Sequence, residues 1–440
     1  MNKSPLKNIY DYINPTIDPK FKKPVRPFSI LTLILYFWIF VATAQVPGFY
    51  MREAEKKVEL PIIVSNNLVI IPLSINSGPP VNFLLDTGVK TNILFSKTFG
   101  NFIGLNYTRK LDLVGADGQT ILTASVSPNN YIDMGPLEGI FQTLLVLDED
   151  FMELEQVIGI PVYGVIGYEF FKYNPVKIDY DRQKITFYAN DMMKRKPVGY
   201  KKVNIKLDNS KPYITGKIKQ SSDTELEGKL LIDIGANHGL LLNRETTDEI
   251  LLPEKNIKSD LGRSLGGDLF GFVGRTFLLD INGVKFKDVI TSFPEETEFS
   301  YVIRESGRQG SIGSEILGRL TVMLDYNREK MYIKRGDTFL IPFEFDMSGI
   351  TPRLLPMDEK IIYVTQVREG SPAYEAGIRM KDEFYDINNI PIAFWELPDL
   401  IKLFRSEEGR EINVTMKRFL GEDPENFELK DFKFRLKRQI

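Results

Sequence analysis

The sequence predicts a mainly β protein made of two similar lobes and a smaller third unit of mixed α and β structure. Three observations carry this expectation. The chain is rich in large aromatics, with 30 Phe and 19 Tyr, which suit pleated, half-buried surfaces. A stretch at residues 81–95 recurs in outline at 228–243. A separate pattern, with the punctuation of a short capped helix between strands, begins at Ile361.

The repeated stretch organises the chain. An apolar run through Leu84 and Leu85 ends in Asp86-Thr87-Gly88, and a second run follows at Ile93-Leu94-Phe95. This reads as strand, tight turn, strand. Gly88 relieves the steric limit on the turn, so the Asp86 carboxylate can be presented at its tip. An offset of 147 residues carries Leu84 to Leu231, Asp86 to Asp233, Gly88 to Gly235, Ile93 to Leu240 and Phe95 to Leu242. An offset of 146 carries Gly164-Val165-Ile166-Gly167 to Gly310-Ser311-Ile312-Gly313. It also carries Asp179, Tyr180 and Arg182 to Asp325, Tyr326 and Arg328. Two long segments in one register, differing by a single deletion, are an internal duplication. Its unit of roughly 145 residues is the size of a domain rather than of a solenoid repeat.

If a pseudo-twofold axis relates the lobes, Asp86 and Asp233 meet across it. Two carboxylates a few ångströms apart do not both ionise easily, so they share a proton. The ionised one can take a proton from water, and the protonated one can polarise a carbonyl oxygen. That is general acid–base hydrolysis of an amide without a covalent intermediate.

The repeated Asp-(Thr/Ile)-Gly, each followed by an apolar-Gly element (Gly164 to Gly167 and Gly310 to Gly313), resembles the retropepsin-like and pepsin-like aspartic peptidases over residues 55–336. The resemblance implies a bilobal β fold with pseudo-twofold symmetry, a catalytic aspartate from each lobe, and flap hairpins that close over an extended polypeptide. Asp86 and Asp233 take the catalytic positions, with Thr87, Gly88 and Gly235 as supports of the dyad loops. The chain departs from the family pattern at Ile234 and Val89. Ile234 cannot supply the hydroxyl that helps lock the two loops together, and neither Val89 nor Ala236 offers its aspartate a side-chain hydrogen bond. Fewer bonds to the ionised form leave a carboxyl less acidic, so activity at mildly acidic to neutral pH, or its loss, is expected.

Taken in order, residues 1–44 combine a basic stretch, an apolar core (28–41) and Ala42-Thr43-Ala44. They read as a secretory signal peptide or an uncleaved N-terminal membrane anchor, which implies export to the periplasm or cell envelope, with membrane association through that segment if it is retained. Residues 55–190 form the first peptidase lobe. Gly115, Asp117 and Gly118 mark a hairpin tip and are its flap candidates. Residues 201–336 repeat the plan, with Gly266 and Gly267 as the flap equivalents.

The third unit, 348–438, resembles a bacterial PDZ domain on Gly370-Ser371-Pro372-Ala373 and Ala376-Gly377-Ile378. Ser371 is placed as N-cap, Pro372 at the first helical position and Gly377 at the helix end. Leu397 to Phe404 is expected to be the groove helix. Such a groove takes an extended peptide by strand addition. The loop that would hold a peptide carboxylate is expected near 356–360, where there is no glycine.

Composition narrows the chemistry further. There is no cysteine and a single histidine, His238, so thiol catalysis and Cys or His-rich metal sites are excluded. No cofactor and no metal are expected. A net charge of −3, with no dominant basic face, argues against a nucleic-acid partner. The expected partners are a polypeptide substrate in the interlobe cleft and a peptide ligand in the PDZ groove. The competing reading is a non-catalytic peptide-binding envelope protein with a degenerate second motif at Ile234.

Overall fold

The computed structural model describes residues 46–114, 121–150, 152–193, 195–264, 267–297, 300–355, 360–421, 423 and 425–440. The chain is mainly β, with four sheets among the described residues. Among the described residues, no helix is long and apolar enough to cross a membrane.

The duplication is visible as a repeated strand order. In the first lobe, strand Gly164–Ile166 lies between Val81–Leu85 and Asn92–Leu94. It runs parallel to the former, with Val165 opposite Leu84, and antiparallel to the latter, with Val165 opposite Ile93. In the second lobe, Gly310–Ile312 lies between Glu225–Ile232 and Leu240–Leu242 in the same senses, with Ser311 opposite Leu231 and Leu241. Strands this short and fully covered must be apolar on both faces, and Leu84, Leu85, Ile93, Leu94, Ile166, Leu231, Ile232, Leu240 and Ile312 are all buried.

A six-stranded sheet joins the lobes. Its two central strands are Val176–Asp179 from the first lobe and Leu320–Asp325 from the second, paired antiparallel with Val176 opposite Leu324, Lys177 opposite Met323 and Ile178 opposite Val322. Under the 146-residue offset, Val176 corresponds to Val322 and Ile178 to Leu324. Each pair is therefore the image of the other, and the Lys177–Met323 pair is its own image. A local twofold axis passes through that pair. The repeated Asp-Tyr-x-Arg turn explains itself here too. Buried Asp179 accepts from the Arg182 amide at 3.2 Å, and buried Asp325 accepts from the Arg328 amide at 3.2 Å, each capping the turn out of its strand. The two lobes share one hydrophobic core through this sheet.

The third unit has its own core, which includes Ile350, Ile362, Val364, Phe384, Leu400, Phe404 and Met416. Ser371 caps helix Pro372–Ala376, its hydroxyl accepting from the Tyr374 amide at 3.3 Å, and Gly377 ends the helix at φ +99°. Helix Leu397–Phe404 buries Leu397, Leu400, Leu403 and Phe404 along one face. Strand Ile350–Leu355 is an edge strand, paired only with Ile361–Val367, and it runs beside that helix. The groove therefore lies between 350–355 and 397–404. The loop that enters it is 346–349, ahead of the stretch the sequence pointed to, of which residues 356–359 lie outside the described set.

The connection between the second lobe and this unit is fastened. The Arg319 guanidinium lies 3.7 Å from the centre of the Phe343 ring and donates to the Pro342 carbonyl at 3.2 Å, while Arg275 donates to the Phe343 carbonyl at 3.0 Å.

Candidate active site

The two Asp-containing turns meet at the lobe boundary. The amide of Asp86 donates to the Ile166 carbonyl at 2.9 Å, and that of Asp233 to the Ile312 carbonyl at 3.0 Å. The glycines of the apolar-Gly elements permit this approach. A Cβ on Gly164 would stand 2.1 Å from the Ile93 carbonyl oxygen, and one on Gly310 would stand 1.9 Å from that of Leu241. Gly167 and Gly313 have the same relation to the backbone at Val89 and His238, at 2.3 and 2.2 Å.

One detail shows how the two lobes reach the same geometry with different residues. The Gly167 amide donates to the Asn92 side-chain carbonyl at 3.0 Å, whereas the Gly313 amide donates to the backbone carbonyl of Gly239 at 2.8 Å. Asn92 and Gly239 are equivalent under the 147-residue offset. Nothing in the repeated pattern flags Asn92, because its partner in the repeat has no side chain.

The carboxyl groups are close. A single point, the Cβ position that Gly88 lacks, lies 3.0 Å from Asp86 Oδ1 and 3.4 Å from both carboxyl oxygens of Asp233. On the other side, a Cβ on Gly235 would fall 2.2 Å from the Asp86 Cγ. The Gly88 amide donates to Asp86 Oδ1 at 2.5 Å and the Gly235 amide to Asp233 Oδ1 at 3.2 Å. Burial pushes the Asp86 carboxyl well above the ordinary range, and the Asp233 charge beside it adds to the shift; the Gly88 amide opposes it only in part.

Thr87 makes the cross-lobe lock. Its hydroxyl donates to the Ile232 carbonyl at 2.6 Å and accepts from the Ile234 amide at 3.1 Å, fully buried. Ile234, also buried, makes no reciprocal side-chain bond. Its carbonyl instead takes the hydroxyl of Ser314 at 2.7 Å, within the second lobe. Thr87→Val is therefore expected to strand a buried amide and a buried carbonyl and to cost about 2–4 kcal/mol. Ile234→Thr, which exchanges apolar burial for a hydroxyl at the position equivalent to Thr87, is expected to change stability by no more than about 1 kcal/mol. Urea unfolding of the two variants measures both; a Thr87→Val loss no larger than that of Ile234→Thr would show that the lock is not stabilising.

Several neighbours of the pair are invisible in the repeat. Lys211 stands two residues before the Tyr213–Leu231 pair of the ladder, near enough to feel the charges of both Asp233 and Asp86; the corresponding place in the first lobe, two residues before the Ile70–Leu84 pair, is Leu68. Burial, followed by the charge of Arg308, lowers the Lys211 ammonium below its usual range, and the charges of Asp233 and Asp86 oppose that shift. Tyr326, buried beside the pair, stacks against Tyr168 with ring centres 5.9 Å apart. The His238 Nε2 meets the Ser311 hydroxyl at 2.9 Å, which makes it a loop-anchoring residue of the Gly310 element.

The flap candidates Gly115, Asp117, Gly118 and Gly266 lie outside the described residues. The strands that would carry them are present: 109–114 with 121–133 in the first lobe, and 257–264 with 267–281 in the second, where Gly267 pairs with Ser264.

The comparisons with known proteins follow the same division. Residues 71–170 match the family model for aspartyl proteases, and residues 363–418 match that for PDZ domains. The chain thus joins an aspartyl-protease domain to a PDZ domain in that order. Among solved structures, that of Basic 7S globulin from soybean aligns with 63% of this chain and 95% of its own, at 11% identity and a TM-score of 0.37. No curated protein sequence matches the chain.

Proposed function

We propose that the protein is an exported aspartic endopeptidase in which Asp86 and Asp233 activate a water against a peptide bond. The observation that carries this reading is the convergence of the two carboxyl groups on one point between Gly88 and Gly235. The N-terminal basic and apolar pattern supports export.

The asymmetry around the pair supports a division of labour. The raised affinity of Asp86 for its proton makes it the acid, and Asp233 is left as the base. Asp233 takes a proton from the water as its oxygen attacks the peptide carbonyl carbon. Asp86 gives its proton to the carbonyl oxygen. Collapse of the tetrahedral species returns that proton to the pair and delivers one to the departing amide nitrogen. No bond forms between enzyme and substrate.

The pH dependence follows. Activity requires Asp86 protonated and Asp233 ionised, so the alkaline limb belongs to Asp86 and should fall toward pH 8, the region to which its pKa is raised (about 8). The test is digestion of an unstructured polypeptide across pH 3 to 9. The expected result is cleavage with an optimum between about pH 5 and 7.5. An optimum below about pH 4 would contradict the assignment of a raised Asp86, and no cleavage at any pH would favour the second reading. That reading, peptide binding without hydrolysis, rests on the missing hydroxyl at Ile234.

A further inference from the structure

We propose that the PDZ unit is a clamp across the two peptidase lobes, with a piece of the first lobe as its resident groove ligand. It does not receive free peptide ends. The proposal rests on the endopeptidase reading only for the purpose of the clamp; the contacts themselves are independent of it.

Both parts of a peptide site are already taken by this chain. A bound peptide needs the open edge of the groove strand and, for its terminal carboxylate, the free amides that lead into that strand. Those amides are spoken for. The Asp346 carboxylate accepts from the Ser348 amide at 3.0 Å and the Gly349 amide at 2.7 Å, and it pairs with Arg368 at 2.7 Å. The next amide, of Ile350, donates to the Ser348 hydroxyl at 3.0 Å. Asp346 thus sits where a peptide carboxylate would sit, with a cation already beside it. A second carboxylate there would meet like charge and no donor.

The groove itself is covered by helix Leu154–Ile158 of the first lobe, which packs against both strand 350–355 and helix 397–404. Val157 faces a cavity of about 200 Å³ together with Ile350, Pro352, Ile401 and Phe404. Just past the helix, Gly159 comes so close to the groove helix that a Cβ there would stand 3.1 Å from that of Leu397. The short helix is not a loose tail. Leu154 and Ile158 are buried with Ile93 and Phe95 beneath the Asp86 turn, and the Ser65 hydroxyl holds the Ile158 carbonyl at 2.9 Å.

The second lobe is held from the same strand. Arg353, in the groove strand, pairs with Asp260 at 3.5 Å, both side chains mostly covered. Asp260 lies at the bulge of strand 257–264 in the flap hairpin, where its carboxylate also accepts from the Gly262 amide at 2.8 Å. One side of the groove therefore grips the first lobe while its strand grips the flap of the second. Motion of that flap relative to the first lobe must break one grip or the other.

The test uses the full chain carrying Asp86→Asn, so that no outcome depends on catalysis. Arg353→Met and Asp260→Asn are each expected to speed hydrogen exchange in the 257–264 and 267–281 strands about five-fold, with the double variant no faster than either single one. Strands 109–114 and 121–133 of the first lobe serve as the unaffected control. Val157→Asp is expected to speed exchange in 350–355. Fluorescent heptapeptides ending in Val, Leu or Phe, with a free or an amidated C-terminus, are expected to leave hydrogen exchange in 350–355 unchanged up to about 1 mM, whether or not they bind in the interlobe cleft. Unchanged flap exchange in both single variants, or saturable protection of 350–355 by either peptide form, would overturn the proposal. Loss of cleavage activity alone would not touch it.

Discussion

Asp86→Asn and Asp233→Asn are each expected to reduce kcat/KM for an unstructured polypeptide by at least about 10³-fold, and the double variant to lose little more than either single one. The two carboxyl groups converge on one point, and in the proposed mechanism they act on one water, so removing either would remove the whole proton exchange. An amide is nearly isosteric with a carboxyl, so the turns should remain folded and KM should change far less than kcat. Stability separates the two variants. The Asp86 carboxyl has a folded pKa raised to about 8, against an unfolded value of about 3.9. Its contribution to stability is complete below the unfolded value and is lost as pH rises through the folded one. Asp86→Asn should therefore leave stability at pH 4 nearly unchanged and raise it at pH 9 by up to a few kcal/mol. Thermal unfolding at the two pH values reads this directly. Turnover within tenfold of the parent in either variant would refute the dyad as assigned, and a Tm of Asp86→Asn lower than the parent at pH 9 would refute the raised carboxyl.

The largest structural effect is expected at Gly310. Its Cβ position lies 1.9 Å from the Leu241 carbonyl oxygen and 3.0 Å from the carbon of the same group. These are backbone atoms of a strand whose own ladder fixes them, so neither partner can yield without parting Gly310–Ile312 from Leu240–Leu242. Gly310→Ala is expected to cost more than about 4 kcal/mol, beyond ordinary overpacking, and to abolish soluble expression or two-state unfolding. Gly164→Ala should behave in the same way in the first lobe. Gly228→Ala is the control. It also sits in a strand, but its nearest neighbour is the flexible end of Ile218 at 3.2 Å, so a change within about 1 kcal/mol is expected. Equal effects at 228 and 310 would show that the strand environment, and not the close backbone approach, decides.

The duplicated pattern made the local geometry of the site legible. Asp86, Asp233, the two apolar-Gly elements and the capped turns at Asp179 and Asp325 all read directly from the register of the repeat, because each is a short motif whose residue types have a local steric or hydrogen-bonding reason. The helix Pro372–Ala376 was legible for the same reason, since Ser371, Pro372 and Gly377 act within a few residues of themselves. What stayed hidden depends on partners far away in sequence. Lys211 comes near Asp233 only through a cross-strand ladder. Asn92 does with a side chain what Gly239 does with its backbone, so comparison of the repeats could not flag it. The groove strand Ile350–Leu355 does not show in the sequence, and its entry loop is expected after it, because what makes the strand one wall of a groove is its packing beside a helix some fifty residues on. Asp346 lies just ahead of the expected start of the unit at 348, where no local pattern marks it.

The self-mirrored pairing of Lys177 with Met323 has a historical consequence. A strand that pairs with its own duplicate in this manner would also have paired with an identical copy on a separate molecule. A half-length ancestor could thus have assembled as a symmetric pair, each molecule lending one acidic turn. Within one polypeptide the two halves need not be identical, so a hydroxyl at Thr87 can stand opposite a purely apolar Ile234.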